Sequence, residues 1–176
     1  LAYKGTHYAG FQVQQNAPTI QWAVEKVLAT FYKQPLVLTG SSRTDAGVHA
    51  FQNFFHTDVA ENLFKPEHLY NLNAMLPPDI VIKSIRTVAD DFHCRFHATS
   101  RRYRYHIYQV KNPFLTDRAW YVPFPLSLEK LNEAAAVFLQ VSDFTSFSKR
   151  NTQTKTMLCQ LMESYWLQTD NEWVYT

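Results

Sequence analysis

One short polar segment combines residue types that could carry nucleophilic or acid–base chemistry. Residues 40–50 have the sequence GSSRTDAGVHA, in which Arg43 precedes Asp45 by two positions and Asp45 is the only acid within 26–57. In an extended loop both side chains could point the same way. A neighbouring arginine favours the ionised carboxylate, which suits a nucleophile or a base. The alternative is a structural Arg–Asp pair that braces a hairpin. His49 could assist catalysis or be structural.

A second segment, residues 92–111, joins cations to aromatic rings and contains no acid. Its cations are Arg95, Arg101, Arg102, Arg104 and Lys111. The segment is predicted to be a strand in which Arg101, Tyr103 and Tyr105 share one face. Because arginines bind phosphates and aromatic rings stack on unpaired bases, this segment is predicted to bind RNA. The alternative is an ordinary strand with a solvated basic face and an aromatic core face.

Other candidate sites are weaker. Residues 146–156 form a polar loop whose cations, Lys149, Arg150 and Lys155, could touch an RNA backbone or simply be solvated. His93, Cys94 and His97 superficially suggest a metal site, but the second half of a ligand set is missing, so no metal is predicted. No phosphate-cradling glycine loop precedes a helix, which argues against an NTP-driven enzyme.

The elements that must position these residues follow from apolar spacing. Helical periodicity predicts a first helix that starts after the N-cap Thr19 and ends before Pro35. Further helices are predicted at 68–75 and, capped by Ser127, through residue 139. Strands are predicted near residues 1–3, at 36–39, 51–57, 80–88, 92–110 and 157–167, and from residue 173.

This order of elements predicts an α+β protein built from two ferredoxin-like α/β units with antiparallel sheets. The first half follows the β-α-β-β-α-β order of that unit, and the second half follows β-α-β-β and then stops. We therefore predict an N-terminal domain at 1–89 and an incomplete C-terminal domain at 90–176. The sequence is expected to be a piece of a larger two-domain enzyme.

Composition bounds the class of protein. The chain has 176 residues, 46% of them hydrophobic and 18% charged, which supports a packed core and argues against disorder. It has no apolar run of about 18 residues, so no membrane-spanning helix is predicted. The two cysteines cannot form a disulfide framework and fit a reducing cytoplasm. All four glycines lie within the first 47 residues. Backbone conformations that only glycine adopts readily are therefore expected in that part of the chain.

Several segments resemble the tRNA pseudouridine synthase A family in the same order along the chain. The segment RTDAGVH at 43–49 is similar to the family signature. Further similarity lies in residues 3–12, 71–80, 90–96, 101–105 and 143–147, so the resemblance covers essentially the whole chain. It implies the pseudouridine synthase fold, with two α/β domains and a cleft between them.

The resemblance also implies an activity. It implies a cytoplasmic homodimer with a basic groove for the anticodon arm of tRNA, and isomerisation of uridine to pseudouridine at positions 38–40 of that arm without cofactor or metal. Asp45 matches the catalytic aspartate, Arg43 the arginine paired with it, and Tyr103 the tyrosine that packs against the target base. Arg95, Arg101, Arg102 and Arg104 are the predicted RNA contacts.

Some positions depart from the family pattern. Lys4, Phe11, Ser42 and Cys94 stand where the family commonly has Asp, Trp, Gly and Ala. The family also continues past the equivalent of Thr176 with a further basic active-site residue. Two other functions stay open on the residues alone: a non-catalytic RNA-binding module with a ferredoxin-like sheet, and a protein-interaction domain whose basic strand is incidental.

Overall fold

The chain forms two compact units of mixed α and β structure. The computed structural model describes residues 1–60, 63–148, 156–170 and 172–176, and the units are Leu1–Ser100 and Arg101–Thr176. The sequence placed the boundary after residue 89, but residues 90–100 belong to the first unit. The reason is Cys94, which is buried and whose thiol donates a hydrogen bond to the Thr39 carbonyl at 3.1 Å.

The first unit contains the six elements in the predicted order. They are β1 (Ala2–Tyr3), α1 (Ile20–Tyr32), β2 (Thr39–Gly40), β3 (Phe55–His56), α2 (His68–Met75) and β4 (Ile80–Val81). β1 pairs antiparallel with β4, and β2 pairs antiparallel with β3. Among the described residues these pairs are separate two-stranded sheets, so a continuous ferredoxin-like sheet is not confirmed. The strands are shorter than predicted because regular pairing covers only two residues of each.

Helix α1 supplies much of the core of the first unit, as its periodicity predicted. Its buried residues are Ile20, Ala23, Val24, Val27 and Leu28. Thr19 caps the helix as expected: its hydroxyl accepts a hydrogen bond from the Trp22 amide at 3.3 Å, and the residue is fully buried. In the part of the chain that the structure describes, no helix is long and apolar enough to cross a membrane.

The second unit is built on a four-stranded sheet with the order β6-β5-β8-β7. Its strands are β5 (Tyr105–Tyr108), β6 (Trp120–Tyr121), β7 (Trp166–Gln168) and β8 (Trp173–Tyr175), and helix α3 (Leu128–Phe138) lies between β6 and β7 in the chain. β6 runs parallel to β5, whereas β8 is antiparallel to both neighbours. Asn132 ties α3 to β7 because its side chain bonds both backbone groups of Trp166, at 2.8 and 3.1 Å.

Three predictions for the second half were wrong. The strand expected at 157–167 is limited to β7, because regular pairing begins only at Trp166. The long strand expected at 92–110 is limited to β5, and residues 93–97 form a turn in which the His97 amide bonds the His93 carbonyl at 2.9 Å. Pairing of β5 with β8 begins only at Tyr105, so strand alternation does not order Arg101–Arg104 into faces. The strand β6 was also missed, because Trp120 and Tyr121 lie in a segment rich in prolines.

The cap of α1 can be tested by substitution. Thr19→Ala removes the acceptor for the Trp22 amide at a fully buried position, so we expect the free energy of unfolding to fall by about 1 kcal/mol. Urea denaturation measures the change. Thr30→Ala, at an exposed position of the same helix, is the matched control and should not lower stability, since alanine is the better helix former. Equal stability of the Thr19→Ala protein and the unsubstituted protein would contradict the role of the cap.

Candidate active site

Asp45 occupies the first position of a tight backbone turn. The Val48 amide donates a hydrogen bond to the Asp45 carbonyl at 3.2 Å, which closes the turn, and Gly47 in its third position has a φ of 78°. A positive φ at this position is what a type II turn requires. Asp45 itself is exposed. The carboxylate is therefore accessible to a substrate, while its backbone is part of a closed turn.

The N-terminal loop, residues 4–11, packs directly against this turn. The Phe11 amide donates to the Thr44 carbonyl at 2.9 Å, the Gly47 amide donates to the Tyr8 carbonyl at 3.3 Å, and the Gly5 amide donates to Nδ1 of His49 at 3.0 Å. His49 thus has a structural part in the loop. These bonds hold the backbone on both sides of Asp45.

Two glycines make this contact possible. A Cβ on Gly5 would lie 2.1 Å from the Val48 carbonyl oxygen, a distance at which the two backbones could not coexist. Gly10 has a φ of 95°, and a Cβ there would lie 2.9 Å from the Thr44 carbonyl oxygen. Only a residue without a side chain fits such an approach at no steric cost.

A buried polar network supports the turn from the inside. Asn53 is 3% exposed; its amide nitrogen donates to the Tyr3 hydroxyl and to the Ser42 carbonyl, both at 3.1 Å. Its amide oxygen accepts from the Ser41 hydroxyl at 2.9 Å. The Tyr3 hydroxyl also forms a hydrogen bond with Oγ1 of Thr44, at 2.9 Å. Because buried amides and hydroxyls are costly to leave unpaired, this network favours one position for Thr44, the residue before Asp45.

The side chain of Tyr8, whose backbone carbonyl bonds Gly47, is held by Asp79. Its phenol donates a hydrogen bond to Oδ1 of Asp79 at 2.7 Å, and the Asp79 carbonyl accepts from the Lys4 amide at 2.9 Å. Burial raises the pKa of the Tyr8 phenol well above its ordinary value, and the bond to Asp79 and the charge of that carboxylate raise it further. The phenol therefore stays protonated, and Asp79 holds both ends of residues 4–8.

The structure brings some of the predicted site residues together. Arg43 and Arg95 line one cavity of about 220 Å³ in the first unit, whereas Asp45 is not among its lining residues. Tyr103, Arg101 and Arg104 belong to the second unit and are exposed.

Arg102 forms an ion pair with Glu163 at 2.6 Å, and both side chains are well exposed. Such an exposed pair contributes little to stability in water. Lys149, Arg150 and Lys155, which the sequence left as either RNA contacts or solvated cations, lie outside the described residues. Among the described residues, no three His, Cys, Asp or Glu side chains are grouped so that they could hold a metal ion.

Sequence reasoning assigned no role to four residues that position the turn: Tyr3, Tyr8, Asn53 and Asp79. A signal existed for Asn53, since it and Gln52 are amides within the otherwise aromatic run Phe51–Phe55. No local pattern marked the others, because their partners lie 41 to 71 residues away in the chain.

The close approach of Gly5 to the turn gives a stability prediction. Gly5→Ala places a Cβ against the Val48 carbonyl oxygen, so we expect a loss of several kcal/mol in the free energy of unfolding, at the upper end for single substitutions. Gly47→Ala is the matched variant: a Cβ there meets nothing within 4 Å, and only the positive φ is unfavourable, so a loss of about 1 kcal/mol is expected. Urea denaturation of both variants measures the difference. The reverse order of stability would contradict the packing described here.

Comparison with known proteins identifies the family. A family model described as tRNA pseudouridine synthase matches residues 1–97. The tRNA pseudouridine synthase A of Bacteroides fragilis is 44% identical over 178 residues, which cover all of this chain and 71% of that protein. The enzyme of the same name from Staphylococcus aureus strain MRSA252 is 40% identical over 99% of this chain and 67% of its own length. The chain spans about two thirds of the length of these relatives. With this similarity along its length, the chain belongs to the tRNA pseudouridine synthase family.

Proposed function

We propose that the protein isomerises uridine to pseudouridine in tRNA, with Asp45 as the catalytic aspartate. The observation that carries the proposal is the placement of Asp45: an exposed carboxylate on a closed turn whose backbone is bonded to the N-terminal loop on both sides. A binding surface does not need a carboxylate held in this way. Enzymes do, because the reacting groups must be held close to their productive geometry. The names of the relatives support the same conclusion.

The reaction explains which groups are needed. The bond from ribose C1′ to uracil N1 breaks, and a bond from C1′ to C5 forms. C5 gives up its proton and N1 gains one, so no electrons are transferred to a cofactor. The target base must first leave its stack, as in other enzymes that modify bases. Asp45 could attack C1′ or C6, or remove the proton from C2′; the three routes place the same carboxylate beside the sugar or the base.

Arg43 has two functions in this proposal. Its guanidinium is proposed to pair with the Asp45 carboxylate. It also fills space in the stack that the flipped base leaves. Arg43 is exposed and lines the cavity next to the turn, which leaves its guanidinium within reach of RNA.

Tyr103 and the basic residues are proposed to bind the RNA. The Tyr103 ring, which is 55% exposed, is available to pack against the target base, and its hydroxyl is proposed to lie near the proton that C5 loses. Arg95, Arg101, Arg102 and Arg104 are proposed to contact phosphates of the anticodon arm, which would add a salt-dependent part to the affinity.

The finer features of the proposal rest on the family resemblance. They are a substrate site in the anticodon arm, a homodimer, a cytoplasmic location, and the complete fold of two ferredoxin-like α/β units. The order of elements in the first unit and the antiparallel pairing of β1 with β4 are compatible with that fold.

Replacement of Asp45 tests the catalytic assignment. In the full-length protein, Asp45→Ala should lower tritium release from tRNA labelled at uracil C5 by about 10³-fold or more, since a group that takes part in bond making is lost. C5 loses its hydrogen only when the new bond forms there. Asp58→Ala, which removes an exposed carboxylate from the same unit, is the control and should release tritium normally.

The outcomes of this experiment separate the functions. Release by the Asp45→Ala protein at the normal rate would keep the enzyme and reject Asp45. If the unsubstituted protein bound tRNA but released no tritium, a non-catalytic RNA-binding module would replace the proposal. Absence of salt-dependent tRNA binding would instead favour a protein-interaction domain.

The Tyr103 hydroxyl gives a separate prediction. Tyr103→Phe keeps the ring and removes the hydroxyl, so we expect tRNA affinity within about twofold of normal and turnover reduced by about 10²-fold, the usual size of an acid–base contribution. Filter binding and tritium release measure the two quantities. Tyr121→Phe, in β6 of the same unit, is the control. Normal turnover of the Tyr103→Phe protein would remove the hydroxyl from the mechanism.

A further inference from the structure

The cavity lined by Arg43 and Arg95 has basic residues in its walls and no acidic ones. Its walls come from the end of the N-terminal loop with the residue after it, from α1, from residues 38–43, which include β2, and from the turn at 93–97, all within the first unit. Two arginines, Arg43 and Arg95, and the ring of His93 line it, and its lining residues include no acid. The nearby carboxylate of Glu25 is engaged with the Leu38 amide and with Gln21, both at 2.8 Å. The cavity is therefore suited to an anion.

Arginine is the cation best matched to oxyanions such as phosphate and carboxylate. Its planar fork donates two parallel hydrogen bonds to a phosphate or carboxylate, and it is less strongly hydrated than lysine. Arg43 and Arg95 enter the cavity from different segments of the chain, which are 52 positions apart by number and are joined only by folding. Gln12 adds an amide donor at the rim.

An exposed aromatic ring stands beside these cations. Phe96 is 74% exposed and stacks on His93, with ring centroids 4.1 Å apart and an angle of 28° between the planes. Nδ1 of His93 accepts a hydrogen bond from the Arg95 amide at 3.3 Å, which leaves Nε2 as the nitrogen that can donate to a ligand. One face of Phe96 is covered by His93, and a nucleobase can stack on a free aromatic face.

The turn that carries these side chains is firmly attached. Cys94, between His93 and Arg95, is 3% exposed; its thiol donates to the Thr39 carbonyl of β2 and lies 3.2 Å from Nδ1 of His56 in β3. The His93 and His56 rings also meet edge to face at 4.7 Å. The two walls of the cavity are therefore parts of one packed structure, and little ordering is needed when an anion binds.

We propose that this cavity binds one phosphodiester group of the substrate RNA through Arg95 and His93, with the adjoining base stacked on Phe96. The inference rests on the proposed function and names a binding subsite for it. The volume of about 220 Å³ lies below the range of about 300–1,000 Å³ for clefts that enclose a drug-sized ligand. It suits a phosphate with part of its sugar, while the base remains outside on the exposed ring.

The first experiment measures tRNA binding by the full-length protein over a range of salt concentrations. Arg95→Gln should weaken binding about tenfold and reduce the slope of log affinity against log salt by about 0.7–0.9, the contribution of one phosphate contact. Phe96→Leu should weaken binding by at least about fivefold with an unchanged slope, because stacking is not ionic. Arg86→Gln, an exposed arginine of the same unit outside the cavity, is the matched control and should leave the slope unchanged.

A double-mutant cycle identifies the phosphate. Anticodon stem-loop RNAs that each carry one neutral methylphosphonate are tested against the unsubstituted protein and against Arg95→Gln. One position should weaken binding to the unsubstituted protein about tenfold and have no further effect on the variant. If every position weakened both proteins equally, or if Arg95→Gln left the salt slope unchanged, the proposal would be overturned.

Two controls keep this result separate from other failures. Arg95→Lys should retain the salt slope but recover only part of the affinity, because the charge remains and the planar fork is lost; a merely structural role for Arg95 predicts no such split. Failure of the proposed function appears elsewhere, as absence of tritium release by the unsubstituted protein. The binding cycle does not depend on that release.

Discussion

The close approach of two loops, residues 4–11 and 43–49, is the contact on which the candidate site depends. At Gly5 the two backbones are so near that a single Cβ would overlap a carbonyl oxygen. Backbone amides of Phe11, Gly47 and Gly5 are all satisfied across this contact. An exposed loop of this size would otherwise be mobile. Here the main chain around Asp45 is held from one side by the N-terminal loop, which leaves the carboxylate itself in solvent.

Side chains also hold the residues that precede Asp45 in the chain. Asn53 and Tyr3 form a buried network that reaches Thr44, and every buried side-chain polar atom in the described part of the chain has a partner. Networks of this kind specify a single arrangement, because any shift leaves a desolvated group unpaired. Tyr8 and Asp79 add a second tie, with the phenol kept protonated by burial and by its carboxylate partner. The apolar core around α1 gives these ties a stable base.

The same hairpin, β2 with β3 and the loop between them, serves two kinds of chemistry. One part of the loop carries the carboxylate, and another part carries Arg43 into a cavity that the turn at 93–97 completes. Cys94 attaches that turn to both strands of the hairpin. An acid and a cationic cavity near one another fit a site that must hold a polyanion while it works on a single sugar and base.

Sequence patterns alone determined the elements whose cause is local. The periodicity of α1, the caps at Thr19 and Ser127, the bounds of α2 and the order of elements in the first unit all follow from residues close in the chain. The motif at 43–49, together with five further segments in the same order, also indicated the family. Only the tertiary structure decided which residues support that motif, since Tyr3 and Tyr8 reach it, and Asp79 reaches Tyr8, across long stretches of chain. It also limited the strand expected at 92–110 to β5 and placed residues 93–97 against β2, because a strand exists only where a partner pairs with it. Strand pairing and side-chain burial depend on contacts between segments that are distant in the chain, so a local sequence pattern cannot predict them.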